Sequence, residues 1–189
     1  MWDPTILDVT LLFSYDQVIH VQVLDLQNQT SLRVSFLYGH NDYIPRRELW
    51  ASLKLFSTTT SSSPWMVLGD FNVVIHGREK VGGDTSCPSY IEELNLCCFE
   101  AGLEDLKSSG NFFTWSKGSG QSFKARKLDR ALVNYEWMSK FTEAEAYFLE
   151  PGASDHSRIF VNTGICLSTF VNHLSDFSIS GWILKVSLS

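Results

Sequence analysis

The 189-residue chain contains no C-x-x-C pair and no cysteine–histidine spacing of the zinc-binding kind. Its four cysteines are Cys87, Cys97, Cys98 and Cys166, and adjacent residues such as Cys97 and Cys98 cannot easily bridge each other. A disulfide-built secreted scaffold is therefore not indicated, and a reducing compartment is the simpler expectation. The opening "MWDPTILDVT" lacks the basic and then apolar segments of a signal peptide. No apolar run approaches the roughly 18 residues of a membrane span. Internal repeats are missing too. A formal charge of −6 excludes a protein that coats nucleic acid by bulk electrostatics. These absences predict a soluble intracellular protein, cytoplasmic or nuclear, with no membrane association and no obligate protein partner indicated.

What is present suits a single core, since 44% of the residues are hydrophobic and 19% charged. "VTLLFSY" and "VIHVQVLDL" read as a hairpin, followed by a third strand in "SLRVSFLYG". "PRRELWASLKLF" changes to helical period, with Leu49, Trp50, Leu53 and Phe56 on one face and Pro45 in the first turn. A polar loop, "STTTSSSP", leads to the apolar strand of "WMVLGDFN". "PSYIEELNLCCFEAG" predicts a second helix with Ile91, Leu94, Cys98 and Ala101 inward, ended by Gly102. Short strands follow in "NFFTWS", "KLDRALVN", "AYFLEPG" and "SDHSRIFVN". The expected class is α+β, a two-sheet β-sandwich flanked by helices over residues 1–162. Residues 163–189 read as an appendage of undetermined structure.

Polar residues stand where apolar strands end. Gly69 marks a place of close backbone approach, and strand alternation past it would put Asp70 and Asn72 on one face with Phe71 on the other. Tyr38 to Asn41, Asp129, and the pair Asp155–His156 occupy similar positions. Each has a plainer reading. "GDFN" can be a turn, because Asp and Asn bond their own backbone. Tyr38 can be core, Asp129 can pair at the surface with Arg130 or Lys127, and Ser154 can cap a turn before His156. Taken together, carboxylates with one histidine and one asparagine are the equipment for metal-assisted attack on a phosphodiester. Six basic residues between Lys107 and Arg130, against the single acid Asp129, form either a phosphate-contacting patch or a solvated face.

"LGDFN", "KLDRALVN" and "SDHS" occur in this order, with 58 and 25 residues between Asp70, Asp129 and Asp155. The ordered set resembles the endonuclease/exonuclease/phosphatase superfamily, which includes deoxyribonuclease I. With "LYGHNDYIPRRELWASL" and "FTWS", residues 9–162 look most like the endonuclease domain of plant LINE-type, non-LTR retrotransposons. The resemblance implies a deoxyribonuclease I-like fold and a Mg²⁺-dependent endonuclease that nicks DNA, with Mn²⁺ as an alternative ion. It implies that Asp70 positions or deprotonates water and that Asn72 holds water and phosphate. It also implies that His156, oriented by Asp129, donates to a phosphate oxygen. Asp155 would serve the metal, Tyr38 and Asn41 the scissile phosphate, and Lys124, Arg126 and Lys127 the DNA backbone.

The match departs from the family pattern in two places. The family carries an Asn strand and a metal-binding Glu strand ahead of the Tyr38 region, whereas the first Glu here is Glu48, inside the predicted helix. Arg158 stands after "SDHS", where the family usually places Pro. The expectation is a domain lacking its first strands, with reduced or no activity. Two alternatives stand beside it: an inactive remnant that binds DNA weakly, and a phosphoester phosphatase on the same fold.

Overall fold

The computed structural model describes residues 4–83, 90–152, 154–164, 175–179 and 182–187. Three strands open the chain as an antiparallel meander: β1 (Leu7–Tyr15), β2 (Val18–Asp25) and β3 (Thr30–Tyr38). Helix α1 (Tyr43–Thr60) follows, capped by Asp42, whose side chain accepts the Ile44 N–H at 3.2 Å. Leu49, Trp50 and Leu53 are buried along one face, as the period requires.

The helix runs further than its apolar pattern, for "STTT" is helical rather than a loop. The hydroxyls of Ser57, Thr58, Thr59 and Thr60 each donate to the carbonyl three residues earlier, at 2.7, 2.7, 2.8 and 3.0 Å. Satisfying these hydroxyls within the helix removes their usual competition with its backbone bonds.

The α1 crossover returns the chain so that β4 (Trp65–Asp70) lies parallel to β3. β4 reads as a continuous apolar run because both its faces are covered. Trp65 and Val67 join a core with Leu49, Leu53 and Leu94 on the helical side, while Met66 and Leu68 join Val34, Phe148 and Val161 on the other.

Beyond it come β5 (Lys80–Val81), α2 (Tyr90–Ala101), β6 (Glu104–Asp105), β7 (Ser108–Gly110), β8 (Trp115–Lys117) and β9 (Lys124–Arg126). β10 (Asp129–Val133), α3 (Tyr135–Lys140), β11 (Glu145–Leu149), β12 (Arg158–Asn162), β13 (Ser175–Ile179) and β14 (Trp182–Ser187) complete the order. In α2, Ile91, Leu94 and Ala101 are buried as expected, and Cys97 is buried as well, with Cys98 half-buried beside it. Both thiols are free, while Cys87 and Cys166 lie outside the described residues. Gly102, at φ +64°, ends the helix, and the Leu103 N–H reaches back to the Cys98 carbonyl.

A six-stranded sheet in the order β1-β2-β3-β4-β10-β6 packs against a five-stranded sheet in the order β13-β14-β12-β11-β7. This is the α+β sandwich read from the sequence, with α1 and α2 outside the larger sheet and α3 contributing Trp137 between the sheets. A small third sheet, β5-β9-β8, was not foreseen, and "NFFTWS" is strand only from Trp115. Within residues 163–189, β14 pairs parallel to β12 and so extends the smaller sheet. No helix among the described residues is long and apolar enough to cross a membrane.

Candidate active site

Sheet register places Tyr38, Asp70 and Asp129 in one row. Tyr38 is the partner of Asp70 across β3–β4, and Asp129 is the partner of Asp70 across β4–β10. The strand stops at Asp70, so alternation does not place Asn72. Asp70 Oδ1 accepts the Asn72 N–H at 2.8 Å, and Asn72 takes a left-handed φ of +51°. The turn reading and the site reading of "GDFN" thus describe the same geometry. With Oδ1 committed to the turn, Asp70 Oδ2 faces His156 Nε2 at 4.0 Å. Phe71 goes the other way, fully into the core.

Asp129 is fully buried, and its Oδ2 lies 2.9 Å from His156 Nδ1. Thr114 fixes this pair from behind. Its hydroxyl oxygen accepts the N–H groups of Leu128 and Asp129 at 3.0 and 2.9 Å, and its carbonyl accepts the Ser157 N–H at 2.7 Å. One buried threonine therefore joins the start of β10 to the residue after His156.

Burial, reinforced by the charge of Asp129, pushes Asp70 up to about 7, against the Asn72 N–H, His156 and Arg46. Burial also raises Asp129, against the hydrogen bonds from His156 and Thr114. For His156, burial acts to lower the pKa; the bond to Asp129 and the charges of Asp129, Asp70 and Asp155 outweigh it, and the net shift is upward. Asp70, Asp129 and His156 each offer an atom within 4.8 Å of the others, close enough to hold one metal ion.

No protein-family model and no curated protein matches the chain. Solved structures do match. The endonuclease domain of TRAS1, a telomere-specific non-LTR retrotransposon, is similar at a TM-score of 0.64 and 16% identity, covering 80% of this chain and 66% of that one. The likeness shows the fold: this chain shares the α+β sandwich of that endonuclease domain. A Bacteroides vulgatus endonuclease/exonuclease/phosphatase protein gives TM-score 0.47 at 12% identity, over 77% of this chain and 56% of that one. D. rerio TDP2, complexed with a single-strand DNA product, gives 0.45 at 11%, over 80% and 62%. The chain spans less than two thirds of the length of each.

On this deoxyribonuclease I-like fold, the remaining sequence-read residues are distributed unevenly around the row. Tyr38 is half exposed at its strand end, and its N–H donates to the Gln17 carbonyl. Asn41 is exposed, in the loop after β3. Asn72 Nδ2 donates to the Gly39 carbonyl at 2.7 Å, lacing that loop to the turn after β4. Asp155 stands apart from the three-residue cluster, its Oδ2 accepting the Trp115 indole N–H at 2.8 Å. The Ser154 hydroxyl accepts the His156 N–H at 3.1 Å, so the turn foreseen there coexists with the site. Glu48 accepts from the Tyr15 hydroxyl.

The basic run does not form one face. Arg130 is fully buried and paired with Glu79 and Asp105, which corrects the surface pairing considered for Asp129. The Arg126 guanidinium is spent on the carbonyls of Val81, Gly82 and Ala125. Lys127 Nζ lies over the rings of Phe112 and Phe148, 5.8 and 5.9 Å from their centres. Lys124 is exposed opposite Lys117 in the β8–β9 pair.

Sequence reasoning missed Thr114, Trp115, Gln17 and Arg46 as supports of the site. Thr114 and Trp115 sit in the quoted "FTWS", where their types signalled only a strand. Arg46 lies in "PRRE", where a cation beside another cation reads as helix surface.

Proposed function

We propose that this chain is a divalent-metal-dependent phosphodiesterase domain that nicks DNA, derived from a non-LTR retrotransposon. The convergence of Asp70, Asp129 and His156, from β4, β10 and the approach to β12, carries the proposal. The TRAS1 endonuclease likeness and the ordered sequence motifs favour this substrate over a small phosphoester.

Asp70, with a pKa of about 7, is ionised in part at neutral pH and takes a proton from water as the water oxygen bonds to phosphorus. His156, held by Asp129 and with its protonated form favoured by the neighbouring carboxylates, donates from Nε2 to a phosphoryl oxygen. The bond from phosphorus to the leaving oxygen then breaks, and solvent protonates that oxygen. The two buried carboxylates of Asp70 and Asp129 would hold a divalent cation such as Mg²⁺ or Mn²⁺, with His156 kept for its donor role rather than as a ligand. Such an ion supplies charge neutralisation at the phosphate. No glutamate is among the residues of this cluster, so slow turnover is expected.

The test is nicking of supercoiled plasmid by the purified chain with Mg²⁺, Mn²⁺ or EDTA. The expected result is weak nicking that needs the divalent ion and falls about 10²- to 10⁴-fold in Asp70→Asn and His156→Ala. No nicking with either ion would replace this reading with that of an inactive remnant.

A further inference from the structure

Arg46 is a cation at 3% exposure in the first turn of α1, and it reaches three backbone carbonyls. Its Nη1 donates to the carbonyls of His40 at 2.9 Å, Asn41 at 3.2 Å and Asn72 at 2.6 Å. The first two belong to the loop after β3, the third to the turn after β4. We infer that Arg46 is a positioning residue, a buried clamp that fixes the Asn41 loop and the Asn72 turn to each other and so presets the rim beside Asp70.

The surroundings leave the clamp little slack. Gly39 N–H donates to the Asp70 carbonyl at 2.7 Å, and a Cβ on Gly39 would stand 2.9 Å from the Phe71 carbonyl oxygen. The two loops are therefore in backbone contact, with room for no side chain between them. On the far side, buried Gln17 accepts the His40 N–H at 2.9 Å and donates to the Pro45 carbonyl at 3.0 Å. Gln17 holds the loop to the β1–β2 turn, and Arg46 holds it to the Asn72 turn.

A guanidinium suits this place because it keeps its charge when buried and its Nη1 holds two N–H groups in fixed directions, shared here among three carbonyls. Asn72 needs such a hold. A non-glycine residue at positive φ persists only where the surrounding structure over-determines it. The Asn72 carbonyl bonded to Arg46 and the Asn72 N–H bonded to Asp70 pin both ends of that residue. The clamp thereby acts on Asn72 and Asn41, and its catalytic consequence rests on the nuclease reading above.

The experiment compares wild type with Arg46→Gln and Arg46→Lys by amide hydrogen exchange, thermal melting and plasmid nicking. In Arg46→Gln, exchange at Gly39 and Asn72 should rise at least roughly tenfold, the loss of bonds to a charged donor being larger than that of neutral ones. Exchange at Val34 and Val67 should stay at the wild-type rate. Arg46→Lys, with the charge but not the fixed N–H directions of Nη1, should fall between the two. If the wild type nicks DNA, kcat should fall with the same ranking while the melting temperature of Arg46→Lys is retained. Should Arg46→Gln fail to fold, Arg46→Lys carries the test on the same amides. Exchange at Gly39 and Asn72 within roughly twofold of wild type in the folded variants would overturn the clamp. A wild type that does not nick would overturn the nuclease reading alone, because the exchange result is read without turnover.

Discussion

His20 in β2 is enclosed, with its ring stacked on Phe56 at 3.9 Å between centres and its Nδ1 2.6 Å from the Ser35 hydroxyl. Its Nε2 is buried without a hydrogen-bond partner. Burial pushes the imidazole down to about 4. Below pH 6.5 the unfolded chain binds this proton more readily than the folded one. The contribution of His20 to stability is therefore complete above pH 6.5 and is lost as pH falls towards about 4. Asp70, raised to about 7, works in the opposite sense, since its ionisation is penalised in the fold and stability falls as pH rises to that value. The two slopes mask each other in the wild type. The His20 share is isolated by urea denaturation of wild type and His20→Leu from pH 7.5 to 4.5. Wild type should lose up to about 3 kcal/mol relative to the variant across that range. Nothing in "VIHVQV" marks His20 as buried, because alternation tells which residues share a face but not which face the helix covers. The carboxylates were legible for the opposite reason: a charged residue at the end of an apolar strand needs an explanation wherever the strand lies.

Among the elements, the β3–β4 pair depends on one missing side chain. Gly69 has φ +137°, and a Cβ there would lie 2.0 Å from the Leu37 carbonyl oxygen. Gly102 also has positive φ, at the end of α2, but a Cβ there meets nothing within 4 Å. Gly69→Ala should cost roughly 2–4 kcal/mol through backbone strain and collision combined. Gly102→Ala should cost only about 1 kcal/mol, the strain alone. Chemical denaturation of both variants checks the contrast, and equal losses would mean that crowding at Gly69 relaxes. The close approach at Gly69 was readable, because a glycine closing an apolar strand has few other uses. The extension of α1 through Thr60 was not, since a run of Ser and Thr ordinarily signals a loop. Only the hydroxyl bonds to carbonyls three residues back reveal that this run stays helical. The small β5-β9-β8 sheet escaped for want of pattern, its strands being two or three residues long.

At the scale of the molecule, β1 ends the larger sheet, and its outer half exposes Leu11 at 60% and Phe13 at 53%. Its single charge is Asp8, and it carries no Lys or Pro to discourage pairing with another edge. A register irregularity between Leu11 and Phe13 is the local deterrent nearest these exposed apolar residues. Dynamic light scattering over a concentration series should show self-association that Leu11→Lys with Phe13→Lys suppresses. A monodisperse wild type would show that the irregularity suffices. The same sheet governs the site by counting. Asp70 and Asp129 face each other only because β10 is aligned to β4 with Val133 opposite Met66 and Asp129 opposite Asp70. One residue inserted inside β10 would carry Asp129 to the opposite face while leaving the strand pairing intact. The resulting chain would lose the site, and it would also be less stable, because the displaced Asp129 carboxylate would be buried away from His156. Insertions between Lys117 and Lys124, in the turn joining β8 to β9, leave that alignment untouched. Reading-frame-preserving insertions and deletions should thus be sorted by the sheet itself, tolerated in that turn and silencing in β10.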